Sequence, residues 1–232
     1  AKNIINVKSK HYIQLLINNA GLSPYSQLKT FSKQNYNMIF QVNYLAHFYL
    51  TQLLLPKMLQ APKNTVRIVN VSSVMHRYVN RYHFSQHYNV DHRGSYSGSK
   101  LYNIYFTYEM QRRYAKQGII SIAVSPGGVY TQIWRNTSSI INKMFQYLLL
   151  TAKQGASTSI KACTDTSLGK DGELVYLCPY WMNKCCAKYT GLYSIYCQWN
   201  KVHSSIKSYN VQQAQELWSF SLSLLENYQS IN

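Results

Sequence analysis

Three short apolar runs, each closed by small polar residues and separated from the next by helix-spaced sequence, restrict what this chain can fold into. Ile13 to Ile17 ends in Asn18-Asn19-Ala20-Gly21, Val66 to Val71 in Ser72-Ser73, and Ile119 to Val124 runs into Pro126-Gly127-Gly128. A short apolar run bounded in this way reads as a strand buried on both faces, the habit of parallel sheets. Between the first two runs, Ile39, Phe40, Val42, Leu45, Ala46, Tyr49, Leu50, Leu53 and Leu54 recur at helical spacing over about residues 35–59, with Pro56 near the end. The second interval holds a loop over 74–94 and a helix over Tyr96 to Tyr114, with Leu101, Ile104, Tyr105, Tyr108 and Met110 on its apolar face. A helix around Gln154 to Thr164, a strand at Leu174 to Cys178 and an amphipathic helix from Val211 to Asn227 follow. The last turns Ala214, Leu217, Trp218, Leu222 and Leu225 inward. Segment 179–209 is aromatic and irregular and receives no assignment. The alternation predicts an α/β fold with parallel strands and right-handed crossovers. In such sheets chemistry collects at the carboxyl ends of the strands, where Asn18, Ser73 and Pro126-Gly127 fall.

The 232 residues, 46% of them hydrophobic, suit one globular domain without a linker. Charge is sparse and lopsided, 24 basic against 7 acidic residues, and no Asp or Glu precedes Asp91. The basic residues are scattered singly and no nucleic-acid motif accompanies them, so a specific nucleic-acid role is not expected. Contact with an anionic surface is compatible with the charge. Five cysteines, all in the last third and including adjacent Cys185-Cys186, fit neither a disulfide framework nor a zinc pattern. They read as reduced thiols of an intracellular protein. No apolar run reaches the length of a membrane span, so membrane contact would be peripheral.

Tyr96-Ser97-Gly98-Ser99-Lys100 carries the chemistry. One helical turn apart, Tyr96 and Lys100 project side by side. An ammonium beside a phenol favours the phenolate and lowers a pKa ordinarily near ~10, so Tyr96 can act as general acid or base toward a carbonyl or alcohol oxygen. The spacing alone is weak, since Tyr25/Lys29 and Tyr180/Lys184 repeat it among 22 tyrosines. At those two positions it reads as ordinary surface packing. Ser73, just past a strand, is placed to hydrogen-bond the substrate oxygen, with Ser72 as its competitor. Asn43 lies mid-helix among apolar neighbours, where a buried amide needs partners. It is read as bending the helix and holding a water that links Lys100 to solvent.

In their order, Leu15-Leu16-Ile17-Asn18-Asn19-Ala20-Gly21, Val69-Asn70-Val71-Ser72-Ser73, Tyr96-Ser97-Gly98-Ser99-Lys100 and Pro126-Gly127-Gly128-Val129-Tyr130-Thr131 resemble the motifs of the short-chain dehydrogenase/reductase family. Phe40 to Phe48 and Ser99-Lys100-Leu101-Tyr102-Asn103 are most similar to the retinol dehydrogenase and WW-domain-containing oxidoreductase branch. The resemblance covers about residues 12–228. It implies a Rossmann-type doubly wound sheet and hydride transfer between NAD or NADP and a carbonyl/alcohol substrate. It implies catalytic roles for Asn43, Ser73, Tyr96 and Lys100, with Lys100 and Tyr96 also meeting the nicotinamide ribose. Asn18, Ala20 and Gly21 would line the nucleotide side, and Pro126, Gly127 and Thr131 the nicotinamide end. No metal is implied. Relatives also imply a homodimer through their final two helices.

One departure is large. The family sets a strand, a Gly-rich turn and a helix well upstream of the position of Asn18. Only seventeen residues precede Asn18 here and none is Gly. The expectation is therefore a partial Rossmann-type sheet lacking its first strands and Gly-rich turn, with residues 1–232 forming the carboxyl-terminal portion of one domain. The choice of NAD or NADP is not legible, and the chain alone is expected to hold cofactor poorly. The alternative is a catalytically inactive, family-derived structural or interaction subunit, completed by a partner chain. Tyr130, Ile133, Trp134, Met144, Phe145 and Tyr147 suggest an apolar substrate of retinoid, steroid or lipid type, or else the plain packing of a lid helix.

Overall fold

The computed structural model of the chain describes residues 12–24, 30–79, 92–179 and 199–231. The pairs Tyr25/Lys29 and Tyr180/Lys184, and Cys185, Cys186 and Cys197, lie outside the described residues. A single sheet runs in the order β1 (Leu15–Asn18), β2 (Val66–Val71), β3 (Ile119–Val124), β4 (Val175–Pro179) and β5 (Trp199–Lys201). The first four strands are parallel, with Leu15 opposite Arg67 and Val66 opposite Ile119, and β5 closes the sheet antiparallel to β4. Every residue of β2, β3 and β4 is buried. Their β-branched content suits a pleated surface covered on both faces. β1 is the outer strand among the described residues, and its Leu15 and Ile17 are 47% and 43% exposed.

Two apolar layers clamp the sheet. One packs Val66, Ile68, Ala123 and Tyr176 against α2 (Ala46–Met58), α3 (His92–Tyr114) and α6 (Val211–Ile231), through Phe48, Met58, Leu101, Tyr105, Leu217 and Trp218. The other packs Val69, Val71, Ile122, Val124 and Leu177 against Ala162 of α5 (Ala152–Thr164). The strands thus advance in one direction while the crossing helix changes face. The β3–α5–β4 crossover therefore has the opposite hand to the two before it, so the right-handed expectation drawn from the strand–helix–strand–helix–strand order does not extend to it. That expectation rests on a strand feeding directly into its helix. Here residues 125–151 intervene, carrying α4 (Ser139–Leu148) and a bridge from Val129 to Leu150.

Some boundaries differ from the sequence reading. α3 begins at His92, four residues before Tyr96, and Val74–Tyr78 forms a 3-10 turn where only loop was expected. Segment 179–209, left unassigned, contributes β5 and a 3-10 turn at Ile206–Tyr209. On α6, Leu222 is 36% exposed and Leu224 takes the buried place. The reason is that Ser221, one turn after Leu217, is the group facing inward, where it meets the Tyr44 hydroxyl at 2.7 Å.

Candidate active site

The helix carrying Asn43 is interrupted in register. α1 (Met38–Phe40) passes into a π-helical turn, Gln41–Leu45, before α2 resumes. The extra residue aims a polar stripe of Asn43, His47 and Thr51, all buried, at the carboxyl end of β1. Thr51 receives a hydrogen bond from the Asn18 side chain, 3.2 Å. The same amide group donates to Asn70, 2.7 Å, which in turn donates to Thr107, 3.0 Å. Asn43 clamps the turn after β1: its Oδ1 accepts from the Leu22 N–H, 2.7 Å, and its amide donates to the Leu22 carbonyl, 2.9 Å, and to Ser99 Oγ, 3.1 Å. The π-helical turn is the local distortion of the helix at Asn43. The amide itself, however, is used on backbone and on Ser99, since burial demands direct partners.

Ser72 and Ser73 divide their work. Ser72 is buried and donates to the Lys100 carbonyl, 2.6 Å, tying β2 to α3. Ser73 is the N-cap of the turn Val74–Tyr78 and accepts from the Met75 N–H, 3.3 Å. Its hydroxyl and the phenol of Tyr96 line the same cavity, and Ser73 acts to lower the Tyr96 pKa. Lys100 Nζ donates to the Val71 carbonyl, 3.0 Å, shared with the Asn103 amide at 3.1 Å, and stands 5.7 Å from the Tyr96 ring centre.

Tyr96, Ser73 and Lys100 meet in the wall of a cavity of about 740 Å³. Asn19, Ala20 and Gly21 line one side, and Pro126, Gly127, Gly128 and Thr131 the other. Val74, Met75, Val129, Ile133, Trp134, Phe145 and Leu149 make its apolar walls. Asn18 and Asn43 stand behind the lining, and Asn19 holds the place expected of Asn18. Strand alternation explains this: the last residue of β1 turns into the sheet and its successor turns out. Tyr130, Met144 and Tyr147 are absent from the walls. Tyr130 donates to Asn142, 2.6 Å, while Met144 and Tyr147 are exposed.

Electrostatics correct one expectation. Burial raises the Tyr96 pKa above its usual value, and the hydrogen bond from Ser73 only partly opposes it. Burial likewise pushes Lys100 down to about 8. Desolvation disfavours both charged forms more than their mutual attraction favours them. Buried His47 is pushed down to about 4, first by burial and then by the charge on Lys100. Among the described residues no carboxylate pairs with Lys100. Sequence reasoning passed over Asn103 and His76, each three residues beyond a residue it had singled out, which is one helical or 3-10 turn.

The model of the family described as short chain dehydrogenase matches residues 4–141. The chain belongs to this family. Human retinol dehydrogenase 11 is 38% identical over 162 residues, covering 66% of this chain and 48% of that protein. A Mycobacterium paratuberculosis protein of known crystal structure shares the fold with a TM-score of 0.63 at 24% identity, over 94% of this chain and 68% of that one. The NADPH-bound carbonyl reductase from chicken fatty liver does so with a TM-score of 0.52 at 22% identity, over 72% and 63%. The chain spans about half the length of the curated relatives it matches.

The site's chemistry fits the nicotinamide end of a dinucleotide. Among the described residues, Lys100 is a buried ammonium whose acceptor is the Val71 carbonyl, shared with Asn103, so N–H groups of the ammonium are left to meet a polar ligand. Gly21 lines the cavity close to both Lys100 and Asn43, where a methyl group would stand at ordinary contact distance, 3.5 Å, from Lys100 Nζ and Asn43 Oδ1. Among the described residues none supplies a Gly-rich turn for the pyrophosphate.

Proposed function

We propose that this chain forms the catalytic, carboxyl-terminal portion of an oxidoreductase that moves a hydride between NAD or NADP and a carbonyl/alcohol substrate. The observation that carries this is the meeting of Tyr96, Ser73 and Lys100 in the lining of one cavity. When bound, the nicotinamide supplies or accepts the hydride. The protein's share is protonic and positional. In reduction, the Tyr96 hydroxyl gives its proton to the substrate oxygen, while Ser73 donates a hydrogen bond to that oxygen as charge builds on it. Burial keeps Tyr96 protonated at neutral pH, the form this step needs. The phenolate left behind is stabilised by the Lys100 ammonium. In oxidation Tyr96 must first lose its proton, so that direction gains with rising pH. Lys100 and Tyr96 would hold the nicotinamide ribose, with Ala20, Gly21, Pro126, Gly127 and Thr131 around the ring.

The substrate is apolar, of retinoid, steroid or lipid type. Trp134 and Phe145 support this reading: their rings pack edge to face at 4.7 Å and form part of the cavity wall beside Ile133 and Leu149. Tyr96→Phe tests the reaction. It keeps the ring and removes the proton, so turnover of aldehydes with NADPH or NADH by the full polypeptide should fall about 10²- to 10⁴-fold. Activity equal to the parent's would remove the mechanism. The coding sequence upstream of Ala1 tests the domain assignment, which requires a strand, a Gly-rich turn and a helix there.

A further inference from the structure

Ser73 is held from behind. Its carbonyl oxygen lies 2.6 Å from Nδ1 of His76, and Nε2 of the same ring lies 3.0 Å from the backbone nitrogen of Ser205. A backbone N–H can only donate, so Nε2 is the acceptor. The neutral ring then carries its proton on Nδ1 and donates it to Ser73. His76 is fully buried, edge-on to the Tyr176 ring at 5.2 Å. Arg77 is the charged group beside it. Burial, with Arg77 adding to it and the bond to Ser73 opposing, holds the pKa near about 4, so the neutral bridge persists at neutral pH.

Two further contacts fasten the same stretch. Arg77 donates to the His203 carbonyl, and Lys207 Nζ donates to the Val79 carbonyl, 2.6 Å. Segment 203–207 is in turn fixed to α3. The Tyr108 hydroxyl meets Ser204 Oγ at 2.8 Å, and the Tyr105 hydroxyl donates to the Lys207 carbonyl, 3.0 Å. Tyr96 and Lys100 ride on that helix. The contacts therefore run from α3 to segment 203–207, to His76 and to Ser73, which lines the cavity with Tyr96.

We propose that His76 is a positioning residue for Ser73: by bridging the Ser73 carbonyl to the Ser205 N–H, it fixes the Ser73 hydroxyl within reach of Tyr96. The proposal rests on the reading of Tyr96 and Ser73 given above. It identifies residues 203–207, far from the cavity in sequence, as the outer anchor of the reacting geometry.

Steady-state kinetics of the full polypeptide test it. His76→Phe keeps the ring and the Tyr176 contact but removes both nitrogens. His76→Asn restores a donor near Nδ1. Ser205→Pro deletes the anchoring N–H at a φ of −63°, which proline adopts without strain. His76→Phe should lower kcat about 10- to 100-fold, the cost of a displaced catalytic group, with KM for the nucleotide unchanged. Without the Ser73 hydrogen bond, the pH limb of alcohol oxidation that reports Tyr96 should move upward. Ser205→Pro should shift both readouts the same way, and His76→Asn, which restores the donor to Ser73 but not the acceptor for Ser205, should recover part of the loss. On a Ser73→Ala background, His76→Phe should cost nothing more, because both act through one hydroxyl. A full additional loss on that background, an unmoved limb, or parental kcat in folded His76→Phe protein overturns the proposal. If Ser73→Ala alone leaves kcat unchanged, the catalytic reading falls with it.

Discussion

Replacing Lys100 by Met should make the ligand-free protein more stable while ending its activity. Lys100 is 4% exposed, and its pKa falls from 10.5 to about 8 because burial disfavours the ammonium. At about 1.4 kcal/mol per pH unit, folding with that charge in place costs about 3 kcal/mol. Little is lost in exchange. The Val71 carbonyl keeps its bond from Asn103, and the contact between the ammonium and the Tyr96 ring is worth about 0.5–1 kcal/mol. Met fills a similar volume without a charge, so the net gain at pH 7 is about 2 kcal/mol. The pH dependence has a definite sign. Below pH 8 both folded and unfolded chains hold the proton and the penalty is complete. Between about pH 8 and pH 10.5 only the unfolded chain holds it, so the parent gains stability relative to the variant. Above that window the two converge. Tyrosine ionisation acts on both proteins and cancels in the difference. Urea denaturation of parent and Lys100→Met at pH 7 and pH 10.5 provides the assay. A variant less stable than its parent at pH 7, or a gap of the same size at both pH values, would refute the reasoning.

Asn43→Ala removes the clamp on Leu22 and the bond to Ser99, leaving buried polar groups unpaired. It should cost about 2–4 kcal/mol, read from the denaturation midpoint, and an unchanged midpoint would contradict the clamp. Gly155→Ala would set a methyl group 2.4 Å from Val129 Cγ2, on a side chain that lines the cavity. The overpacking should cost about 1–3 kcal/mol, against at most about 1 kcal/mol gained in helix propensity. Pairing it with Val129→Ala should recover the stability, and a failure to recover would place the strain elsewhere.

Much of the fold was legible because parallel strands announce themselves. β2 and β3 read as short runs rich in Val and Ile, and small residues or Pro-Gly follow them. The different settings of Ser72 and Ser73 were also within reach: Ser72 directly follows β2 and is buried against α3, while Ser73 begins the next turn. Asn18 shows the limit of that logic. Its position at a strand end was evident, but whether its side chain or that of Asn19 faces the cavity depends on where β1 stops pairing with β2. Likewise, Leu222 fits the apolar period of α6, yet the inward place goes to Ser221 because the Tyr44 hydroxyl waits there.

Composition, periodicity and local spacing determined the elements, their order and the residue types able to move a proton. These are properties of neighbours within one helix or strand. Tertiary structure alone decided the hand of the last crossover, the balance by which burial outweighs a nearby ammonium at Tyr96, and the tie from Ser205 through His76 to Ser73. Each depends on desolvation or contact between segments tens to more than a hundred residues apart, and those energies exist only once the chain has closed around them.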